Sequence, residues 1–549
     1  MNRPGLPASA IDEARDAITR GDWNAAAQSA RRSLQTAETA EGHELLGLAA
    51  WWLYDAETLF RSRERAYRLY LQRGEVRRAA RIATWLDWDT RAFRGEPVVA
   101  NGWLRRARRL LEGHHDSAEY GWLLLREADA KLTQDAIASA AGAADAAVLG
   151  RKHHDPDLEY IALSLEGLAL VAAGSVAEGM QQLDEATAAV VAGEFTDHSA
   201  AGVTCCHLIS ACEMVRDFDR AGQWCDRVRE YCRRWDHPAL FTVCRTQYAG
   251  VLVSSGDWAA AETELASAVA ELAERRPGWT SLGQLRLADL RRRQGRLDEA
   301  AAIFDRLATT PDAGLGLATI ALERGVPAEA ERLARRVLRQ VPVSNHTVRA
   351  AALELLVLAA SAGGRDGTAL AELTELAVLA AGVDSVAIRA SARLAAGAVA
   401  ASRRQADEAR DAFEEAASLF DRAGAPYDAL RARLLLAEQL HTTGALEAAG
   451  AEAAAVARQA RQLGAGGLEE RSTALGRSLQ AKPGRQGALT AREREVLACM
   501  GHGLTNRQIG TRLGVSQHTI HRHVANIFTK LGLSSRTAAV AFALRQGIG

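Results

Sequence analysis

A short pattern recurs along most of this 549-residue chain: a glycine, a variable residue, an apolar residue, two variable residues and a small residue. It reads Gly21-Asp22-Trp23-Asn24-Ala25-Ala26, Gly74 to Ala79, Gly174 to Gly179, Gly256 to Ala261 and Gly295 to Ala300, and its glycine returns at Gly325, Gly364 and Gly444. Arg216-Asp217-Phe218 and Arg404-Gln405-Ala406 fill the same slot without glycine. From residue 174 onward the steps are mostly 39–42 residues, with one of 30. A sustained period of this size specifies stacked helical hairpins. Each hairpin is too small to bury its own apolar face, so neighbours complete the core and the stack coils into a superhelix with a concave face. The fold class is therefore all-α.

Small residues recur seven positions before the turn and five after it. The pairs are Ala14/Ala26, Gly167/Gly179, Ala249/Ala261, Ala288/Ala300, Gly397/Ala409 and Ala437/Ala449. Small against small lets two helix backbones cross closely, and Leu183, Leu265, Phe304 and Phe413 fill the next layer. These hairpins resemble lengthened tetratricopeptide repeats. The array is expected over residues 1–470, irregular within 40–155. A linker is expected over 471–487, where Lys482-Pro483-Gly484-Arg485-Gln486-Gly487 breaks the pattern.

The last segment, 488–549, has a different grammar. Thr490 and Glu493 have the spacing of a capping box, as do Thr505 and Gln508, and Ser516 is a good N-cap. Gly514 and Gly532 are placed to end helices. These signals predict helices over 506–513 and 517–531 joined by a tight turn. On the second, Ile520, Val524, Ile527 and Leu531 share one arc and should meet Val496, Leu497, Ile509 and Leu513. The opposite arc carries His518, Arg522, Ala525 and Thr529, flanked by His521 and Asn526, a surface suited to a major groove. Residues 489–549 hold eight Lys/Arg and two Glu, a formal +6 in a chain of −1, so residues 1–488 carry −7. A basic end on an acidic body is the asymmetry expected of a phosphate-neutralising module, and Arg492, Arg494, Arg507, Arg512 and Lys530 are its candidates.

The strings Leu489-Thr490-Ala491-Arg492-Glu493-Arg494-Glu495-Val496-Leu497, Gly503 to Ile509 and Ser516 to Val524 resemble the LuxR/FixJ-type helix-turn-helix domain. The resemblance implies a four-helix domain binding double-stranded DNA as a homodimer, with RNA polymerase as a further partner and a last helix near Ser535–Gln546 for dimerisation. It implies DNA contacts from Thr505, Asn506, Arg507, His518, Thr519, His521, Arg522, Ala525, Asn526 and Lys530. Where the family often has lysine this chain has His521, not a permanent cation near neutral pH. That departure bears on the target sequence. His523 reads as architectural.

Other constellations are weaker. Cys205, Cys206, Cys212, Cys225, Cys232 and Cys244 cluster, but the core register favours packing over a thiol switch or metal site. His114-His115-Asp116 and His153-His154-Asp155 sit beside loop signals, so no metal is expected. The eleven tryptophans, including Trp52, Trp85, Trp88 and Trp235, read mainly as hairpin core, with one or two left to line a pocket. No phosphate-binding G-x-x-x-x-G-K-[ST] occurs, nor a catalytic motif. No apolar run approaches a membrane span and no signal segment opens the chain, so no cofactor, enzyme activity or membrane is expected, and the expected location is cytoplasmic. The reading is a sequence-specific transcriptional regulator whose array senses a peptide, protein or small molecule. The alternative is a repeat scaffold binding a peptide or protein, with the basic tail an accessory DNA contact.

Overall fold

The computed structural model describes residues 9–235, 238–480, 489–531, 533 and 535–545. All regular elements among them are helical. The chain divides into two compact units, Met1–Thr473 and Ala474–Gly549.

The first unit is a succession of helical hairpins, from Ala10–Thr19 with Trp23–Thr36 to Pro426–Thr442 with Leu446–Leu463. The recurrent turn slot is a backbone requirement for positive φ. Gly256 has φ 96°, and Arg216 and Arg404, without glycine, adopt 57° and 60°. The small pairs do what their size predicts. A Cβ at Gly167 would lie 2.6 Å from the Gly179 carbonyl oxygen, and one at Gly179 would lie 2.5 Å from that of Gly167. Ala249, Ala261, Ala288, Ala300, Leu183 and Leu265 are fully buried.

Within residues 40–155 the turn slot and the hairpins fall out of register. Here the hairpins are Ala40–Trp52 with Ala56–Gln72, Val76–Asp89 with Pro97–Leu110, and Ala118–Lys131 with Ala136–Lys152. Gly74 thus falls between two hairpins, not inside one, and a π-helical turn, Thr90–Arg94, lies between the helices of the second of these. The expected linker needs correction: helix Gly466–Gln480 covers its first ten residues, while 481–487 lie outside the described residues.

The hairpins coil tightly enough for those five steps apart to touch. Ser385 Oγ donates to the Val215 carbonyl at 2.9 Å, 170 residues away. The rings of Trp258 and Tyr427 lie 5.8 Å apart. Gly295, the turn glycine after helix Thr280–Arg293, presses on the start of Gly466–Gln480, where a Cβ would sit 2.7 Å from the Gly467 nitrogen. Arg216 turns its strained position to use: its guanidinium lies 3.7 Å from Asp428 on helix Pro426–Thr442.

That contact belongs to a buried ionic cluster. Arg431 Nη1 donates to Asp428 at 2.9 Å, Arg293 approaches the same carboxylate at 4.0 Å, and Arg293 Nε donates to Asp289 at 2.7 Å. Burial alone would raise the Asp428 pKa, but Arg216, Arg293 and Arg431 hold it down at about 2. A folded pKa below the ~3.9 of an unfolded aspartate supplies stability that is complete above about pH 4 and is lost as pH falls through about 2.

The remaining candidates of the array are resolved by burial. Cys205, Cys212 and Cys225 are buried. Burial, with Asp217 next, pushes the Cys212 thiol well above its usual range, so it acts as an apolar packing group. The side chains of Cys232, Trp235 and Cys244 lie outside the described residues. Asp116 joins the two histidine triplets through Lys152 Nζ at 2.7 Å and His153 Nε2 at 3.0 Å. No described helix is long and apolar enough to cross a membrane.

Asp428→Ala should cost about 3–5 kcal/mol at pH 7, the penalty for leaving buried guanidinium groups uncompensated. Thermal unfolding followed by circular dichroism should show a deficit that shrinks toward pH 2. An equal deficit at pH 7 and pH 2 would contradict the ionic origin.

Candidate nucleic-acid interface

The second unit builds its helix starts from hydroxyl side chains. Thr490 and Glu493 cap helix Ala491–Gly501 reciprocally, and Thr505 and Gln508 do the same for Asn506–Leu513. Ser516 Oγ accepts from the Thr519 amide at 3.1 Å at the start of Gln517–Leu531. Gly514, at φ 67°, ends the shorter helix. The turn is closed by Gly510, where a Cβ would stand 2.8 Å from the Val515 carbonyl oxygen. Both helix ranges coincide with those read from the sequence. The last helix is Arg536–Arg545.

The apolar arc faces inward as expected. Ile520, Val524, Ile527 and Leu531 pack with Val496, Leu497 and Ile509, and Leu513 joins as a partly buried residue. Ala539 and Ala543 of the last helix are also in this core. Part of the helix expected to serve dimerisation is therefore occupied within the domain. Gly532, expected to end the third helix, lies outside the described residues.

Three cations expected to face phosphate are instead engaged inside the unit. Lys530 Nζ donates to Glu493 at 2.6 Å. Burial opposes ionisation of Glu493, yet Lys530 and the Thr490 cap hold its carboxyl below the usual range. Arg492 donates to the Leu513 carbonyl and, at 2.7 Å, to Glu495. Arg494 Nε donates to the Leu489 carbonyl at 3.2 Å. Arg536, not singled out in the sequence, bonds the Leu504 carbonyl and, at 2.8 Å, Asn506 Oδ1. Arginines that cap helix ends carry no period that distinguishes them from arginines facing solvent.

The other expected contacts divide by exposure. Thr505, Arg507, His521, Ala525 and Asn526 are exposed, and Asn506, Thr519 and His523 are partly buried. His518, Arg522 and Thr529 lie on the long helix, with side chains outside the described residues. Gln517, which sequence reasoning passed over, is exposed at the helix start, and its position directly after the Ser516 cap was the available signal. Within three turns of one helix, then, stand Gln517, His521, Ala525 and Asn526.

The model of "Bacterial regulatory proteins, luxR family" matches residues 487–543. The C-terminal unit carries a LuxR-family helix-turn-helix domain. Over 54 residues it is 52% identical to "Probable transcriptional regulatory protein SgaR" of Hyphomicrobium methylovorum, covering 10% of this chain and 26% of that protein. Over 67 residues it is 42% identical to "Transcriptional regulatory protein LnrK" of Bacillus subtilis (strain 168), covering 12% and 30%. The matches thus span under a third of these relatives' lengths. Among solved structures, the Cut9 and Hcn1 hetero-tetramer of the APC/C aligns over 87% of this chain and 95% of its own, at 12% identity and a TM-score of 0.46.

In this LuxR-type domain, Lys530→Met should lower stability by about 1–3 kcal/mol, because it strands the buried Glu493 carboxylate. Thermal melting of the C-terminal unit tests this, and an unchanged midpoint would return Lys530 to the pool of free surface cations.

Proposed function

We propose that this chain is a sequence-specific DNA-binding transcriptional regulator whose helical array receives the controlling signal. The observation that carries the reading is the second unit: a capped helix-turn-helix with its own core and an exposed polar face on Gln517–Leu531. In the proposed complex this helix enters the major groove, and Asn506–Leu513 lies across the backbone. Arg507 and Arg512, both exposed on the shorter helix, supply phosphate contacts. A pair of such domains would read half-sites about one helical turn apart.

Arg522 follows exposed His521 and precedes exposed Ala525 and Asn526 by three and four residues, the spacing of helix-surface neighbours. A guanidinium there reads a guanine edge, a contact that gives roughly 1–3 kcal/mol of discrimination. Arg522→Ala should flatten base preference, whereas Arg512→Ala should weaken all sequences alike and lower the salt slope. Gel shifts over a series of salt concentrations, using intact protein and genomic promoter fragments, distinguish the two. Equal loss of preference in both variants would refute this face assignment, and no preference in the intact protein would refute the regulator reading.

A fragment of residues 480–549 should fold and bind duplex DNA more weakly than the intact protein, with similar preference. Deletion of residues 1–470 should change promoter output by more than the lost affinity explains. A signal acts on such a protein only through its differential affinity for two arrangements. A short form that regulates the same promoters under the same conditions, at equal level, would show that the array is not a sensor.

A further inference from the structure

The tight coil creates a cavity that the repeat pattern does not require. Its wall comes from sequence-distant stretches: Trp51 and Trp88 from the irregular hairpins, Val203 and His207 from helix Ser199–Val215, and Arg276, Trp279 and Leu282 from residues 276–282. The cavity measures about 270 Å³. It adjoins a smaller one of about 70 Å³ that shares Trp51 and Trp88 and adds Arg63, Arg81 and Trp85.

Guanidinium groups crowd these aromatic walls. Arg63 stacks 3.7 Å from the Trp85 ring centroid, Arg81 3.5 Å from Trp122, and Arg276 3.8 Å from Trp51. Arg63 and Arg276 are 2% and 1% exposed. Arg276 Nη2 donates to the Trp51 carbonyl at 3.0 Å, but its Nε has no partner, and neither has Nη1 of Arg63 or of Arg81. Buried donors left unmade are costly. The acid nearest Arg63, Asp89, stands 3.5 Å away, and burial pushes its pKa up to about 6 despite Arg63 and Arg276. Among the described residues that line the larger cavity, Arg276 is the one charged side chain. His207 Nδ1 lies 2.9 Å from Ser164 Oγ, and burial keeps the imidazole neutral, with a pKa of about 4.

We propose that this cavity binds a small planar anion, an aromatic or conjugated carboxylate, with its ring against Trp51, Trp88 and Trp279 and its charge on Arg276. The proposal deepens the sensor reading and rests on it only for the consequence of binding. Flat indole walls suit a flat apolar body, and a buried guanidinium suits a carboxylate. The site is made from successive turns of the coil, so an occupant that bridges them favours the tightly coiled arrangement.

The test is calorimetric titration of the full chain, without DNA, with 2-naphthoate and with its uncharged counterpart 2-naphthalenemethanol. One 2-naphthoate should bind per chain, and more tightly than the alcohol by about tenfold or more, as a charge-assisted hydrogen bond implies. Leu282→Trp places bulk in the cavity from a residue that is 39% exposed, and should abolish binding while leaving the melting curve intact. Arg276→Met should erase the preference for the carboxylate. Absence of saturable 2-naphthoate binding, equal binding of acid and alcohol, or undiminished binding to a folded Leu282→Trp chain would each overturn the proposal. Should Arg276→Met fail to fold, the Leu282→Trp comparison decides. A chain that binds 2-naphthoate but shows no sequence preference in gel shifts keeps this site and loses the regulator reading.

Discussion

The meeting of hairpins five or six steps apart is the constraint on which the array depends. A solenoid held only by nearest neighbours leaves its pitch to the sum of small rotations. Here the pitch is set by direct contact: Ser385 on the Val215 carbonyl, Arg216 on Asp428, and Gly295 against Gly467. The ionic cluster around Asp428 and Asp289 adds direction to this contact, because buried carboxylates tolerate burial only with guanidinium groups at hydrogen-bonding distance. The residue at the Arg216 turn illustrates the trade. Glycine would adopt φ 57° without strain, but only a long cation reaches the next turn of the coil.

The same coiling accounts for the aromatic cavity. Trp51 and Arg276 are 225 residues apart, yet one receives a hydrogen bond from the other. A loosely wound array would present these tryptophans to solvent along an open concave face. Winding encloses them with arginines on their faces, and what remains empty is walled by indole rings with Arg276 beside them. A conformational signal in such an array would be a change in the fit between turns, which links occupancy of a cavity to the coil as a whole.

The LuxR-type domain follows a different economy. Its core is small, so its helix ends are fixed by side chains: two capping boxes, the Arg492 bond to the end of the short helix, and the Arg536 bond to the segment before it. Several basic residues are consumed in this bracing. The proposed DNA surface is correspondingly narrow, made of exposed residues at the start and middle of Gln517–Leu531 with exposed Arg507 and Arg512.

Much of this was legible in the sequence because it depends on local rules. Turn slots, small–small pairs, helix caps and the inward arc of Ile520, Val524, Ile527 and Leu531 each follow from spacings of a few residues, and each is realised. Even the unusual turns at Arg216 and Arg404 were marked by their period. The partners of charged groups were not legible. Lys530 is identical in sequence terms to a phosphate-binding lysine, and only packing of Gln517–Leu531 against Ala491–Gly501 brings it to Glu493. Nor does any period reveal that Trp51, Trp88, Arg276 and Trp279 share a wall, since contacts across about 200 residues depend on the accumulated rotation of every intervening hairpin. The sequence by itself determined the hairpin period, the bounds of the two helices of the helix-turn-helix and the apolar face of the second. The tertiary structure decided which charges meet and where a cavity remains, because both depend on distances between turns that local spacing does not encode.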